Sequence, residues 1–501
     1  MRKDCIIDDP SRLNLRQRLH FLAKDSLLYG TAAALNKAFA LITFPLLARY
    51  FSVEDYGVID YFNILASLMT IVFVFGQDSA VARFFYEYAE TPKRKQVISQ
   101  SIAFQIALLL LFIPPLWLMS EQMARRLCSV SEANTLLKLV LLQVPFLLFI
   151  NFSQNILKWT FARARFLLIS IGSTVFSLFA LLVGIVVFGL GLVELFVIYL
   201  VTRAVFGLLG LWLIRNWLTL PKDWRFLREM LPFAIPYGVI CAIGAFMPAL
   251  ERTFIVQYLG DRELGLYAAG TKVAMLIALP VQAFQVAWGP FSLAIHREAD
   301  AAQTYNWVLK VFAIGMFALV MMLTVVAETV IQILASDRYS GASVVVFPLV
   351  MGLAGQAVGW VTAIGINLSK KSYLNLYSYF VFMVVSAIAI YGLLHVFGLA
   401  GVAWGSMLGY LAKAGVETWL AQRSYPLPWA FSGAIGMGVI TIAVGLASQA
   451  LASSFSHMVG NITAGLGLIG IVFFGWVHVF NRDERVRITS FVYQLRKKVC
   501  A

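Results

Sequence analysis

The chain has 501 residues, 60% of them hydrophobic and 13% charged, with a mean hydropathy of +0.82. Soluble domains carry about 25% charge and about 45–50% apolar residues, so this composition excludes a soluble globular protein and points to successive membrane-spanning helices. A transmembrane barrel, with strands that alternate over about ten residues, does not fit. The net charge of +14 would suggest nucleic acid in a soluble protein. Here it reads as basic residues in cytoplasmic loops, and no nucleic-acid partner is expected.

Residues 1–25 form a charged N-terminal arm with no cleavable signal peptide, so the first apolar span is retained as a helix. The amphipathic stretch from Leu13 to Lys24 either lies on the anionic inner leaflet or serves as an orientation signal. Fourteen spans follow, at 26–48, 57–79, 97–119, 136–157, 167–188, 192–213, 232–256, 264–288, 308–331, 343–366, 373–394, 398–420, 430–451 and 459–480. Pro114, Pro115, Pro145, Pro236, Pro248, Pro280 and Pro348 lie in or beside these spans and mark kinks, since neighbours can satisfy the freed carbonyls in a membrane. The tail from 481 to 501 is basic, like the arm. The longest outer loop, near 119–135, leaves no room for a folded extramembrane domain. The four cysteines have no C-x-x-C spacing, and the five histidines are scattered. No cofactor, metal site, P-loop or catalytic motif is expected, so the chain reads as a non-enzyme.

With the N-terminus in the cytoplasm, 29 of the 39 Lys and Arg residues fall on that side. Both termini are therefore expected to be cytoplasmic, in agreement with an even helix count. An internal repeat is the most informative feature. Arg49 to Gly57 leaves the first span as Gln257 to Gly265 leaves the seventh. The turn Val187-Phe188-Gly189-Leu190-Gly191 recurs as Val396-Phe397-Gly398-Leu399-Ala400, and the basic pairs Arg163/Arg165 and Lys370/Lys371 correspond. All share an offset near 208, which divides the chain into an N-lobe (26–213), a cytoplasmic linker (214–231), a C-lobe (232–420) and two further helices (421–480). Six helices per copy make the repeats parallel, and such halves typically face each other across a central cavity, expected here between spans 1, 2, 7 and 8.

The run Leu47-Ala48-Arg49-Tyr50-Phe51-Ser52-Val53-Glu54-Asp55-Tyr56-Gly57 and the run Phe75-Gly76-Gln77-Asp78-Ser79-Ala80-Val81-Ala82-Arg83-Phe84-Phe85 resemble bacterial polysaccharide-unit flippases of the multidrug/oligosaccharidyl-lipid/polysaccharide exporter superfamily. The resemblance implies an all-α inner-membrane protein of two six-helix lobes plus two helices. Its implied activity is transfer of an undecaprenyl-diphosphate-linked oligosaccharide from the cytoplasmic to the periplasmic leaflet, beside a polymerase and chain-length machinery and driven by a proton or sodium gradient. A lipid-linked peptidoglycan precursor flippase and a drug/cation antiporter share the fold and stay open as alternatives, with a membrane glycan polymerase further off.

A charged side chain at the bilayer centre costs about 2.5–3.5 kcal/mol on insertion scales, so it faces a cavity or a partner. Lys37, about 17 Å into the first span, Lys272, Arg203 and Lys413 are such cations, and their excess over acids suits passage of a diphosphate. Lys37 and Lys272 alternatively snorkel. Arg203 and Lys413, at matching repeat positions, alternatively staple their helices, with Glu417 one turn from Lys413. Arg49 and Arg252 lie near outer ends and are expected to reach headgroups. Asp60, Glu251, Glu328 and Glu417 either couple an ion or are wetted boundary acids. Asp78 and Arg83, five apart, are expected to hold the second helix to a neighbour rather than to each other.

Overall fold

A computed structural model of the chain describes residues 15–371, 373–482 and 484–485. Among them there is no strand, and thirteen helices are long and apolar enough to cross a membrane. The protein is an all-α, multi-pass membrane protein. Fourteen crossings were expected, and the difference lies in one element. The helix Leu374–Ser424 runs for 51 residues, about 76 Å at 1.5 Å per residue, far more than a bilayer of about 30 Å. It is broken at Gly398, where φ is 55° and ψ is −131°. This backbone conformation is close to glycine-only. The two arms then double back: Cβ atoms on Gly401, Gly405 and Gly409 would meet Leu393, Ile390 and Ser386 at under 3 Å. The two arms on either side of Gly398 therefore supply the eleventh and twelfth crossings. The equivalent turn of the first repeat holds Gly189 at φ 60°, so both copies place a left-handed glycine at the same step.

By internal contacts the chain forms two compact units, Met1–Gly265 and Leu266–Ala501. The first contains α1 (Leu15–Tyr50), α2 (Val53–Val74), α3 (Gln77–Glu87), α4 (Thr91–Leu118), α5 (Ser120–Leu127), α6 (Ala133–Trp159), α7 (Arg163–Val183), α8 (Leu192–Ile214) and α9 (Arg225–Tyr258), and it takes in the first residues of α10 (Asp261–Ala274). Helix α9 belongs to this unit because it packs on α2 and α3. The linker itself is docked: Gln96, Ser99 and Gln100 on α4 bond to Thr219, Leu220, Lys222, Asp223 and Leu227.

Helix α1 is continuous from Leu15, so the amphipathic arm extends the first span rather than forming a separate helix; its first residues, 13 and 14, and the tail beyond 485 lie outside the described residues. Helix α2 begins where Ser52 Oγ accepts the Asp55 N–H at 3.0 Å, with Glu54 and Asp55 in a first turn that favours negative charge. It ends where Phe75 and Gly76 both turn left-handed. At Gly76 a Cβ would lie 2.3 Å from the Ala234 carbonyl of α9, so only glycine permits both the turn and the approach. Helices α4, α6 and α9 continue through their internal prolines, as expected in lipid. The core gathers Phe73, Val81, Phe85, Ile98, Val144, Leu148 and Met230 from five helices.

The second unit holds most of α10, then α11 (Ala278–Ile295), α12 (Ala301–Leu334), α13 (Val346–Thr362), α14 (Ile364–Leu368), α15 (Leu374–Ser424), α16 (Phe431–Ser454) and α17 (His457–Phe474). Close packing of α13 on α15 comes from Gly352, Gly355 and Gly359 against Met407, Leu411 and Ala414, the small-residue device of membrane helices. The two added helices, α16 and α17, pack on α12.

Candidate functional site

Where a membrane helix buries a charge, the surrounding groups decide what that charge can do. The described residues contain three distinct solutions.

The first is a buried ion cluster between α2 and α9. Arg252 is 1% exposed. Its Nε and Nη2 donate to Asp60 Oδ2, each at 3.0 Å, and its Nη1 donates to Glu251 Oε2 and the Pro248 carbonyl, each at 3.2 Å. At the next residue of each helix, Tyr61 and Thr253 share a 2.6 Å hydroxyl bond. Arg252 therefore does not reach headgroups, and neither Asp60 nor Glu251 is a wetted acid. The physical reason is proximity: α2 and α9 bring residues 192 apart into contact, and a fork-shaped guanidinium bonding a buried carboxylate outweighs snorkelling.

The second lies on α8. Arg203 donates to the side-chain oxygens of Gln143 on α6 and Asn63 on α2, the latter at 3.0 Å, and its guanidinium stands 5.3 Å from the Tyr199 ring centroid. Gln143 in turn donates to the Phe196 carbonyl at 2.9 Å. These partners are all neutral. The arrangement pins three helices and leaves the cation's charge without a carboxylate in that network. Sequence reading singled out Arg203 and missed Asn63 and Gln143. A lone amide within the apolar run Leu141-Leu142-Gln143-Val144-Pro145 was the available signal, because an unpaired amide in hydrocarbon is costly.

The third lies on α15. Lys413 is fully buried and donates to Glu417 Oε1, which also accepts Ser378 Oγ at 3.0 Å; Lys413 Nζ is 4.3 Å from the Tyr379 ring centroid. The i, i+4 pair expected from sequence forms, so Lys413 is neutralised on its own helix and Glu417 is not a wetted acid.

Lys37 on α1 and Lys272 on α10 are half-buried, and Arg49 is exposed at the C-terminal end of α1. Beside Lys37, Asn36 donates to Ser170 Oγ at 2.9 Å and accepts from Thr174 at 3.0 Å, tying α1 to α7. Glu328 accepts only a long contact from Gln332, 3.4 Å away. Arg83 lies 4.8 Å over the Phe233 ring of α9, while Asp78 Oδ1 accepts the Ser79 N–H at 2.8 Å; the two do not pair, as their spacing implied. Outside the spans, burial pushes the Cys128 thiol up to about 11, and Cys128 and Cys241 are both free. Among the described residues no three His, Cys, Asp or Glu side chains gather as a metal site.

A family model described as polysaccharide biosynthesis protein matches residues 22–296. Two proteins of Haemophilus influenzae are similar in sequence. The Lsg locus protein 1 is 23% identical over 335 residues, covering 63% of this chain and 77% of that protein. An uncharacterized membrane protein is 24% identical over 275 residues, covering 54% and 65%. Among solved structures, the lipid II flippase MurJ in an inward closed conformation aligns with a TM-score of 0.67 at 14% identity, covering 90% of this chain and 99% of that one. An inward-facing multidrug resistance MATE transporter of the MOP superfamily aligns with a TM-score of 0.64 at 16% identity, covering 77% and 94%. At these identities the structural likeness is one of fold.

Proposed function

Because the chain belongs to the polysaccharide biosynthesis protein family, we propose that it moves an undecaprenyl-diphosphate-linked oligosaccharide from the cytoplasmic to the periplasmic leaflet of the inner membrane, by alternating access and without ATP, with both termini cytoplasmic. The observation that carries this reading is the Arg203 network. A guanidinium held by neutral amides keeps its charge available to an anion, whereas Arg252 and Lys413 are already matched to carboxylates. A diphosphate crossing hydrocarbon needs fixed cations at depth. Lys37 in the first unit and Lys272 in the second supply two more, and Arg49 a fourth near the outer end. The undecaprenyl tail stays in the bilayer, so only the sugar and diphosphate require a polar path.

A drug/cation antiporter would need acids free to meet a cation. Asp60, Glu251 and Glu417 are each engaged by a buried base, which supports the anionic substrate over the cationic one. A proton or sodium gradient is the energy source in this reading. The test is a complementation assay on surface polysaccharide in cells lacking the protein. Lys37→Ala and Lys272→Ala should each abolish polysaccharide while the protein remains inserted, and Arg in place of either should restore part of it, since charge survives. Lysis on depletion, with surface polysaccharide unchanged, would instead assign the peptidoglycan precursor as substrate. Polysaccharide export at the normal rate by both alanine variants would remove these lysines from the account.

A further inference from the structure

The break between α2 and α3 opens onto a small cavity that the flippase reading does not use. Its lining includes Gln77 and Asp78 of α3, Gln105 of α4, and Asn151, Asn155 and Trp159 of α6. The floor is polar. Gln77 is 0% exposed, yet neither its Nε2 nor its Oε1 has a partner, and Gln105, 2% exposed, also leaves its Oε1 unmet. Two orphaned amides at such depth are a standing cost unless something fills the space, since each buried unsatisfied polar group costs about 1–3 kcal/mol.

The geometry points to a site for a single sodium ion, held by Gln77, Gln105 and Asp78. Three observations favour a small hard cation. Unmet oxygens outnumber the one unmet donor, Gln77 Nε2: Gln77 Oε1 has no partner, and Gln105 spends its NH2 on Ser101, which leaves its carbonyl to face the cavity. Asp78 adds a carboxylate charge that no Lys or Arg meets in a salt bridge among the described residues, since Arg83 is turned onto Phe233. It sits in the first turn of α3, where its carboxylate lies beside the helix N-terminus. The cavity is about 10 Å³, room for about one water-sized particle, which rules out a sugar or a phosphate. Calcium takes six to eight oxygens and magnesium keeps several waters, so one carboxylate and this volume suit a monovalent ion. The half-buried Asp78 and Asn155 and the exposed Asn151 form the rim and the route of entry. Interrupted membrane helices, with their unwound backbone and half-helix ends, are where such ions are commonly held.

The site itself stands on this geometry. Its use as the coupling ion rests on the flippase reading. The experiment is equilibrium binding of radioactive sodium to the purified full chain in nanodiscs, with thermal unfolding in sodium, potassium or choline chloride at equal ionic strength. Saturable sodium binding and a higher midpoint in sodium than in choline are expected. Both should weaken at least tenfold in affinity in Asp78→Asn and Gln77→Leu, and persist in Lys93→Ala. Where Gln77→Leu does not fold, the volume-preserving Gln105→Met must show the same loss. Equal midpoints in all three salts would mean that water fills the cavity, and sodium binding unchanged in the variants would place the ion elsewhere; either result overturns the proposal. Sodium binding as expected without translocation of lipid-linked sugar would sink the flippase reading and leave the site standing.

Discussion

Arg203 and Lys413 occupy matching positions of the two sequence repeats, yet their surroundings have diverged. Arg203 reaches out to Asn63 and Gln143 on two other helices and finds only neutral oxygens, whereas Lys413 folds onto Glu417 one turn along its own helix. Duplication supplied a cation at the same place twice. One copy holds its cation among neutral amides and the other pairs it with a carboxylate. The difference teaches that a charge at mid-membrane is not a binding site until its partners are counted.

The comparison breaks most severely at the cancelled pair. Glu417→Ala leaves Lys413 buried and unmatched, and removal of one partner of a buried pair costs about 3–5 kcal/mol. The expected result is loss of folded, monodisperse protein in size-exclusion chromatography. The double change Lys413→Met with Glu417→Leu should return stability to within about 1 kcal/mol of the native chain, since apolar replacement of a buried pair is often neutral. Arg203→Met is expected to be milder in thermal unfolding, about 1–3 kcal/mol, because it leaves neutral amides rather than a charge unmet. The two glycine turns sharpen the comparison further. Gly398→Ala should cost about 1–3 kcal/mol, since its ψ of −131° lies close to the glycine-only region. Gly189→Ala, in the ordinary left-handed well with ψ 57°, should cost about 1–2 kcal/mol in the same assay. The smallest effect is at Lys93, whose exposed pair with Glu90 is worth at most about 1 kcal/mol. Arg94 is a poorer control, because it donates to the Tyr88 carbonyl at 2.6 Å and stands over Phe85.

Hydropathy made the spans legible, and the repeat made Gly189 and Gly398 legible as turns. The pair Lys413–Glu417 was readable because i, i+4 neighbours meet by helix geometry alone. Asp60 and Arg252 were not, since their meeting depends on how α2 lies against α9 across 192 residues of sequence. The same holds for Asn63 and Gln143 around Arg203. Helix α3 escaped notice for a different reason: its charged and apolar residues are mixed over only eleven positions, too few and too polar to read as a span. The break before it depends on Gly76 meeting the α9 backbone, a contact that no local pattern announces.

The most direct measurement compares Arg203→Met with the Lys413→Met/Glu417→Leu double variant in proteoliposomes carrying a lipid-linked oligosaccharide, reading the fraction that reaches the opposite leaflet. The account predicts that the single change abolishes translocation while the double change leaves it near the native rate. Translocation at the native rate by Arg203→Met, with loss of it in a well-folded double variant, would reverse the roles of the two cations and contradict the account.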